Sequence, residues 1–328
     1  MTTAALRALP QEARFRGLFT YVAIACLGMW VAMSPLLLGG FRRTDGRAEP
    51  GNLEQLCIAG AMMAPALAAI VVVRWVERRD GRLRDALALR MPRPWSHAVR
   101  WMLAAVAVPA GLTAVTLAIG TAAGVYPFGG MSWSGTAAWA GTALVQMLVS
   151  LPLFFGEELG WQGYLLPRLA YGKGGRARPV RAYLGTGAAF ALWHLPTLLM
   201  GGQYPGRPWY VSVPAMVISC SLALPIFSWL RLASGSVIPA VIGHAFVSTA
   251  SVSMVKHFAE PDAPLNPLRM SLAGWPGWIA MGALVAFLAL TGRLALPAPR
   301  SVEDEKDEKT EAGTPDRIPD RNIPTGTS

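Results

Sequence analysis

Long apolar runs alternate with short polar stretches along most of the chain, over residues 18–39, 53–75, 100–123, 137–166, 182–201, 210–230, 236–255 and 275–293. A helix crossing a bilayer needs about 20 such residues. The pattern predicts an all-α, polytopic membrane protein of about eight transmembrane helices. The first run is too long for the core of a cleavable signal peptide. Between the second and third runs, segment 76–99 is arginine-rich, and its stretch Leu83–Leu89 suits a short interfacial helix. Residues 294–328 hold Pro, Thr and mixed charges with almost no apolar content, and read as a disordered tail. The expected organisation is a cytoplasmic N-terminal segment 1–17, a transmembrane domain 18–293 with its core at 137–255, and a cytoplasmic tail 294–328.

Composition sharpens this picture. Of 328 residues, 53% are hydrophobic and 15% charged, where a soluble domain carries roughly a quarter charged. Between Asp85 and Glu260 the only acidic residues are Glu157 and Glu158, too few to keep a soluble surface wet. The net charge of +10 does not point to nucleic acid, because the arginines flank apolar runs and no recognition motif accompanies them. They suit basic cytoplasmic loops and anionic lipid. The N-terminal segment, the 76–99 loop, the 167–181 loop and the turn at Arg231 are basic, while 124–136 is uncharged and 202–209 holds only Arg207. This alternation places both termini in the cytoplasm of a multi-pass protein of the cell membrane. The 40–52 loop, with Arg42, Arg43 and Arg47, is the exception. Cys26, Cys57 and Cys220 each sit inside an apolar run without a CxxC spacing, and read as buried helix residues.

Ionisable groups inside spans are costly and mark function. Glu157 and Glu158 lie in the fourth run, His194 in the fifth and His244 in the seventh, while His97 and His257 sit at loop edges. Glu157 precedes Arg168 by 11 residues, His194 follows Arg181 by 13, and His244 follows Arg231 by 13. At helical rise, all three lie roughly 16–20 Å from one basic belt, so they are expected to converge. Two chemistries suit them. They bind a divalent metal such as zinc, with a carboxylate activating its water, or a glutamate and a histidine activate water directly while the other histidine stabilises an oxyanion. Adjacent glutamates point about 100° apart on a helix, so one is expected to face the other helices squarely and the second to bond a neighbouring polar group.

Three stretches resemble motifs of one family. Glu157-Glu158-Leu159-Gly160-Trp161-Gln162 resembles EExxxR, Phe190-Ala191-Leu192-Trp193-His194 resembles FxxxH, and His244-Ala245-Phe246-Val247-Ser248 resembles HxxxN or HxxxD. These are motifs of the CPBP family, the CAAX proteases and bacteriocin-processing enzymes also called the Abi family. The resemblance covers roughly residues 53–255. Gln162 stands where that family has arginine and brings no positive charge to Glu158, although it can still hydrogen-bond it. Ser248 stands where the family has asparagine or aspartate and is shorter.

The resemblance implies an intramembrane endopeptidase with catalytic residues Glu157, Glu158, His194, His244 and Ser248. Glu157 would activate water with His194 beside it. His244, helped by Ser248, would stabilise the oxyanion or complete a metal site with Glu157 and His194. The implied partners are a membrane-associated peptide or protein substrate and the lipid bilayer. The two departures feed a rival reading, a catalytically silent scaffold, immunity or regulatory protein of the same fold. With 25 arginines against four lysines, the composition suggests a GC-rich bacterial gene. Candidate substrates are then a peptide pheromone, a bacteriocin-like precursor or a membrane-bound regulator.

Overall fold

A computed structural model describes residues 11–47, 49–78, 82–171 and 176–296. Residues 1–10 of the expected N-terminal segment and 297–328 of the expected tail lie outside them. The helices are α1 (Gln11–Leu38), α2 (Asn52–Val71), α3 (Leu83–Ala86), α4 (Trp95–Ala122), α5 (Trp133–Glu158), α6 (Leu166–Ala170), α7 (Pro179–Trp193), α8 (Leu195–Leu199), α9 (Trp209–Ser234), α10 (Ile238–Phe246), α11 (Val252–His257), α12 (Pro267–Met270) and α13 (Trp275–Leu290). Three π-helical stretches extend α2 (Val72–Val76), join α5 to α6 (Leu159–Leu165) and join α10 to α11 (Val247–Ser251). Among the described residues only two isolated β-bridges occur.

Among the described residues, six continuous helical rods are long and apolar enough to cross a membrane: 14–38, 52–76, 95–122, 133–170, 209–234 and 238–257. The other two predicted spans are different. The fifth is broken at His194 into α7 and α8, and the last, α13, has 16 residues. The chain is thus an all-α multi-pass membrane protein. Prolines sit inside α1, α2, α4, α5 and α9, which spanning helices tolerate because neighbouring groups re-satisfy the freed backbone. The helix ends are signalled locally. The Ser132 side chain accepts from the Gly135 amide at 3.2 Å to start α5, and Gly235 closes α9 in the left-handed region at φ 72°.

Hydrogen bonds gather the connections on two faces. On one face, Arg168 pairs with Glu77, the Val237 amide donates to the Ala88 carbonyl, and Tyr183 donates to the Leu294 carbonyl. On the other, the Arg43 amide donates to Met200 O, the Glu260 amide to Pro127 O, and the Gly129 amide to Phe258 O. The exceptional 40–52 loop belongs to this second face, and its arginines are consumed there. Arg43 lies 3.3 Å from Glu54, and the Arg47 guanidinium donates to the Glu260 and Ala263 carbonyls at 2.8 and 3.0 Å. These cations fix loops and cap carbonyls.

The 76–99 segment departs from expectation. Its helix covers Leu83–Ala86 alone. Leu87 and Ala88, expected at the interface, are buried, because the chain turns inward there to meet the Val237 amide. Beyond the turn, Arg90 donates to exposed Asp85 at 2.6 Å, which holds that carboxyl below its usual range. Arg168 also differs from its expected place in an exposed basic belt. It is fully buried, with Nε and Nη2 donating to the two Glu77 carboxylate oxygens at 2.7 and 2.5 Å and its guanidinium 3.5 Å over the Tyr164 ring. The Arg14 side chain donates to the Arg168 and Tyr171 carbonyls. This ionic knot ties α1 and α2 to the end of the α5–α6 rod.

Candidate active site

The glutamate pair ends α5, where the helix widens into the π stretch Leu159–Leu165. Such widenings are rare and concentrate at functional sites. The helix reaches this point pressed against α2. A Cβ on Gly160 would stand 2.5 Å from both the Pro65 Cβ and the Tyr21 hydroxyl, and one on Gly156 would meet Met63 and the Met62 carbonyl. Small residues four apart allow this close approach, as in other membrane helix pairs. The flank carrying Gly156 and Gly160 is therefore given to α2, and the glutamates emerge away from it.

His194 owes its position to the break in the fifth span. Pro196 follows two residues later in the first turn of α8, and the His194 amide bonds Ala191 O at 3.2 Å in a tighter turn. The His194 Nδ1 lies 2.9 Å from the Phe190 carbonyl. A carbonyl only accepts, so Nδ1 carries the proton and Nε2 presents the lone pair.

His244 lies in α10, which packs against α4, α5 and α9. Its Nδ1 is 2.7 Å from Glu158 Oε1 and its Nε2 is 3.8 Å from Glu157 Oε2. The imidazole is thus bracketed by both carboxylates. Two consecutive helical residues about 100° apart reach the two edges of one ring: Glu158 hydrogen-bonds it, while Glu157 Oε2 stands off at 3.8 Å with no hydrogen-bond partner among the described residues. Three aromatic rings hold the imidazole plane. Phe227 is stacked at 5.1 Å, Phe154 tilted at 4.9 Å and Phe190 edge-on at 5.5 Å between centroids. Phe190 also touches the His194 ring at 4.6 Å. Glu157, Glu158, His194 and His244 are all buried. Glu157, Glu158 and His244 meet directly, and His194 stands beside them across the Phe190 ring, which touches both imidazoles.

Two other motif positions are placed differently. Gln162 is fully buried, but its Oε1 accepts from the Ser228 hydroxyl at 3.1 Å and its Nε2 has no partner; it does not bond Glu158. Ser248 lies one turn beyond His244 in the π stretch Val247–Ser251, exposed, and makes no hydrogen bond among the described residues. Sequence reasoning missed Phe154 and Phe227 as the walls around His244, since buried phenylalanines carry no signal in an apolar chain. It also missed the Glu77–Arg168 pair, whose members stand 91 positions apart.

Chemically, the arrangement is an imidazole held between two carboxylates with a second, singly oriented imidazole nearby. Among the described residues no three His, Cys, Asp or Glu side chains are grouped so as to hold a metal ion. His194 Nδ1 on the Phe190 carbonyl leaves its Nε2 lone pair free, and His244 Nε2 faces Glu157 at 3.8 Å. No step below passes through a metal.

Residues 137–250 match a protein-family model described as type II CAAX prenyl endopeptidase Rce1-like. The match runs from α5 to the π stretch after His244 and takes in all three motifs, so the family resemblance holds for this segment. No curated protein matches the chain.

Proposed function

We propose that this chain, Rce1-like over residues 137–250, hydrolyses a peptide bond in a membrane-associated protein or peptide without leaving the bilayer. The observation that carries the reading is the bracketing of His244 by Glu157 and Glu158 beside His194. Polar groups this expensive to bury are gathered at one point, and each has an orientation suited to a step.

Glu157 acts as the general base. It takes a proton from water, with the His194 Nε2 lone pair accepting the water's other hydrogen, and the hydroxide attacks the scissile carbonyl carbon. His244 in its protonated form donates from Nε2 to the developing oxyanion. Glu158 touches no reacting atom; it holds the imidazole through Nδ1 and stabilises its positive charge. When the tetrahedral intermediate collapses, Glu157 returns its proton to the leaving amine. General base catalysis of this kind contributes about 10²–10⁴-fold, and one oxyanion donor about 10²–10³-fold. Ser248, exposed and without a hydrogen bond among the described residues, is given no role in these steps.

The test is cleavage of candidate membrane peptides by purified protein, wild type against Glu157→Ala, with and without chelator. Wild type is expected to cleave in both conditions and Glu157→Ala in neither. The exposed position of Ser248 and the missing Gln162–Glu158 bond favour one rival, a catalytically silent scaffold. That rival predicts a full cellular phenotype from the triple alanine variant of Glu157, His194 and His244 at normal expression.

A further inference from the structure

The two faces that carry the connections balance their charges differently. On the face of the 40–52 loop, Arg43 lies 3.3 Å from Glu54, Lys256 lies 2.7 Å from Glu49, and Arg47 caps two carbonyls. On the face of Arg168, the carboxylates among the described residues are Glu12, Glu77 and Asp85. Arg168 takes Glu77 and Arg90 takes Asp85, and further arginines of this face are left without an anion.

Four of these arginines gather around one cluster. Leu294 and Leu296 pack there with Leu166, Tyr171, Ala182 and Tyr183, and Trp229 borders them. The Tyr183 hydroxyl fixes the Leu294 carbonyl at 2.8 Å. Arg293 precedes Leu294 and Arg181 precedes Ala182. Arg231 follows Trp229 by two residues and lies within electrostatic reach of Tyr171 and Tyr183. Arg178 is close enough to Arg181 to repel it. None of the four meets a carboxylate among the described residues, and the buried Arg231 Nε has no hydrogen-bond partner there. Arg178 and Arg293 are exposed. Like charges held together at a partly sealed surface favour an anion that neutralises them.

The chain carries that anion itself. Glu303-Asp304-Glu305-Lys306-Asp307-Glu308 is its densest run of carboxylates, and it begins seven residues past Leu296 (303 − 296). Seven residues reach at most about 25 Å, so the run stays near the cluster at a high effective concentration. We infer that the stretch Glu303–Glu308 docks on the patch of Arg178, Arg181, Arg231 and Arg293. Carboxylates match the forked donors of guanidinium groups. The docked stretch lies over the start of α7, the helix that ends beside His194. Anionic lipid headgroups compete for the same arginines, and salt weakens the contact. The inference stands apart from the protease reading.

The four lysines of the chain, Lys173, Lys256, Lys306 and Lys309, supply the test. Lys173 lies between Tyr171 and Ala177, which bridge each other at the cluster. Lys256 lies on the other face with Glu49. The full chain in uncharged detergent micelles is treated with a short amine-to-amine crosslinker, and the products are quantified by mass spectrometry. Lys306 and Lys309 are expected to link to Lys173 and not to Lys256. Arg178→Gln with Arg293→Gln, both exposed, should lower the yield about three- to tenfold, the value of two exposed ion pairs. Salt at about 0.5 M should lower the native yield similarly. A melt of each protein confirms that the variant is folded. Equal yields from the native and variant chains overturn the docking, as does a yield that salt leaves unchanged. Absence of the Lys173 link, together with Arg178-dependent binding to vesicles of phosphatidylglycerol and not of phosphatidylcholine, assigns the patch to lipid and also overturns it.

Discussion

Replacing Glu158 by glutamine removes a charge and almost no volume from the most constrained contact in the site. Glu158 Oε1 sits 2.7 Å from His244 Nδ1, and the Glu158 side chain is 1% exposed. The amide oxygen of glutamine can still accept from Nδ1–H, so ring position is kept while the charge that stabilises the imidazolium is lost. Hydrogen bonds to charged groups contribute about 1.5–3 kcal/mol, against about 1 for neutral ones. If His244 meets the oxyanion as a cation, the difference of about 1–2 kcal/mol falls on the transition state, which is a drop of roughly 5- to 30-fold in kcat. The assay is steady-state cleavage of a fluorogenic membrane peptide, with a thermal melt of each protein alongside. Glu158→Gln should lower kcat by that factor with KM within about twofold, the pattern of an interaction made only in the transition state. Glu158→Ala should fall further and melt lower, since it leaves a buried imidazole edge unpaired. A Glu158→Gln enzyme with full kcat, alongside a dead Glu157→Ala enzyme, would refute the role given to Glu158.

Three further outcomes are expected. Gly160→Ala forces a methyl to within 2.5 Å of Pro65 and Tyr21, an overpacking of about 1–3 kcal/mol, and should show as a lowered melting temperature. Arg168→Ala removes the guanidinium from a fully buried ion pair, a change that costs about 3–5 kcal/mol; the double change Glu77→Gln with Arg168→Met should recover much of the melting temperature, and failure to recover would mean that the pair does more than neutralise itself. Reporter fusions after residues 130, 205 and 262 should read outside and those after 90 and 175 inside, and an outside signal at 175 would overturn the topology.

The chain's apolar runs and its scarcity of carboxylates determined the architecture before any contact was known. With only two carboxylates between Asp85 and Glu260 and the arginines confined to the ends of the runs, each run had to hide its backbone in a helix. The site residues were legible for the same reason: in a spanning helix an ionisable group stands out, and matched distances from the basic ends of three spans implied one depth. Depth along a helix is one coordinate, however, and rotation and rise past a neighbour are set by packing. That is why both glutamates face one imidazole, Glu158 in a hydrogen bond and Glu157 at 3.8 Å, which depth alone did not suggest. It is why Gln162 turns to Ser228, and why Ser248 points into open space, although both lie one turn from motif residues. Glu77 and Arg168 looked like ordinary ends of spans. Only the approach of α2 to the α5–α6 rod, made possible by Gly156 and Gly160, buried them against each other, because contact between residues far apart in sequence depends on how closely two helices can pack.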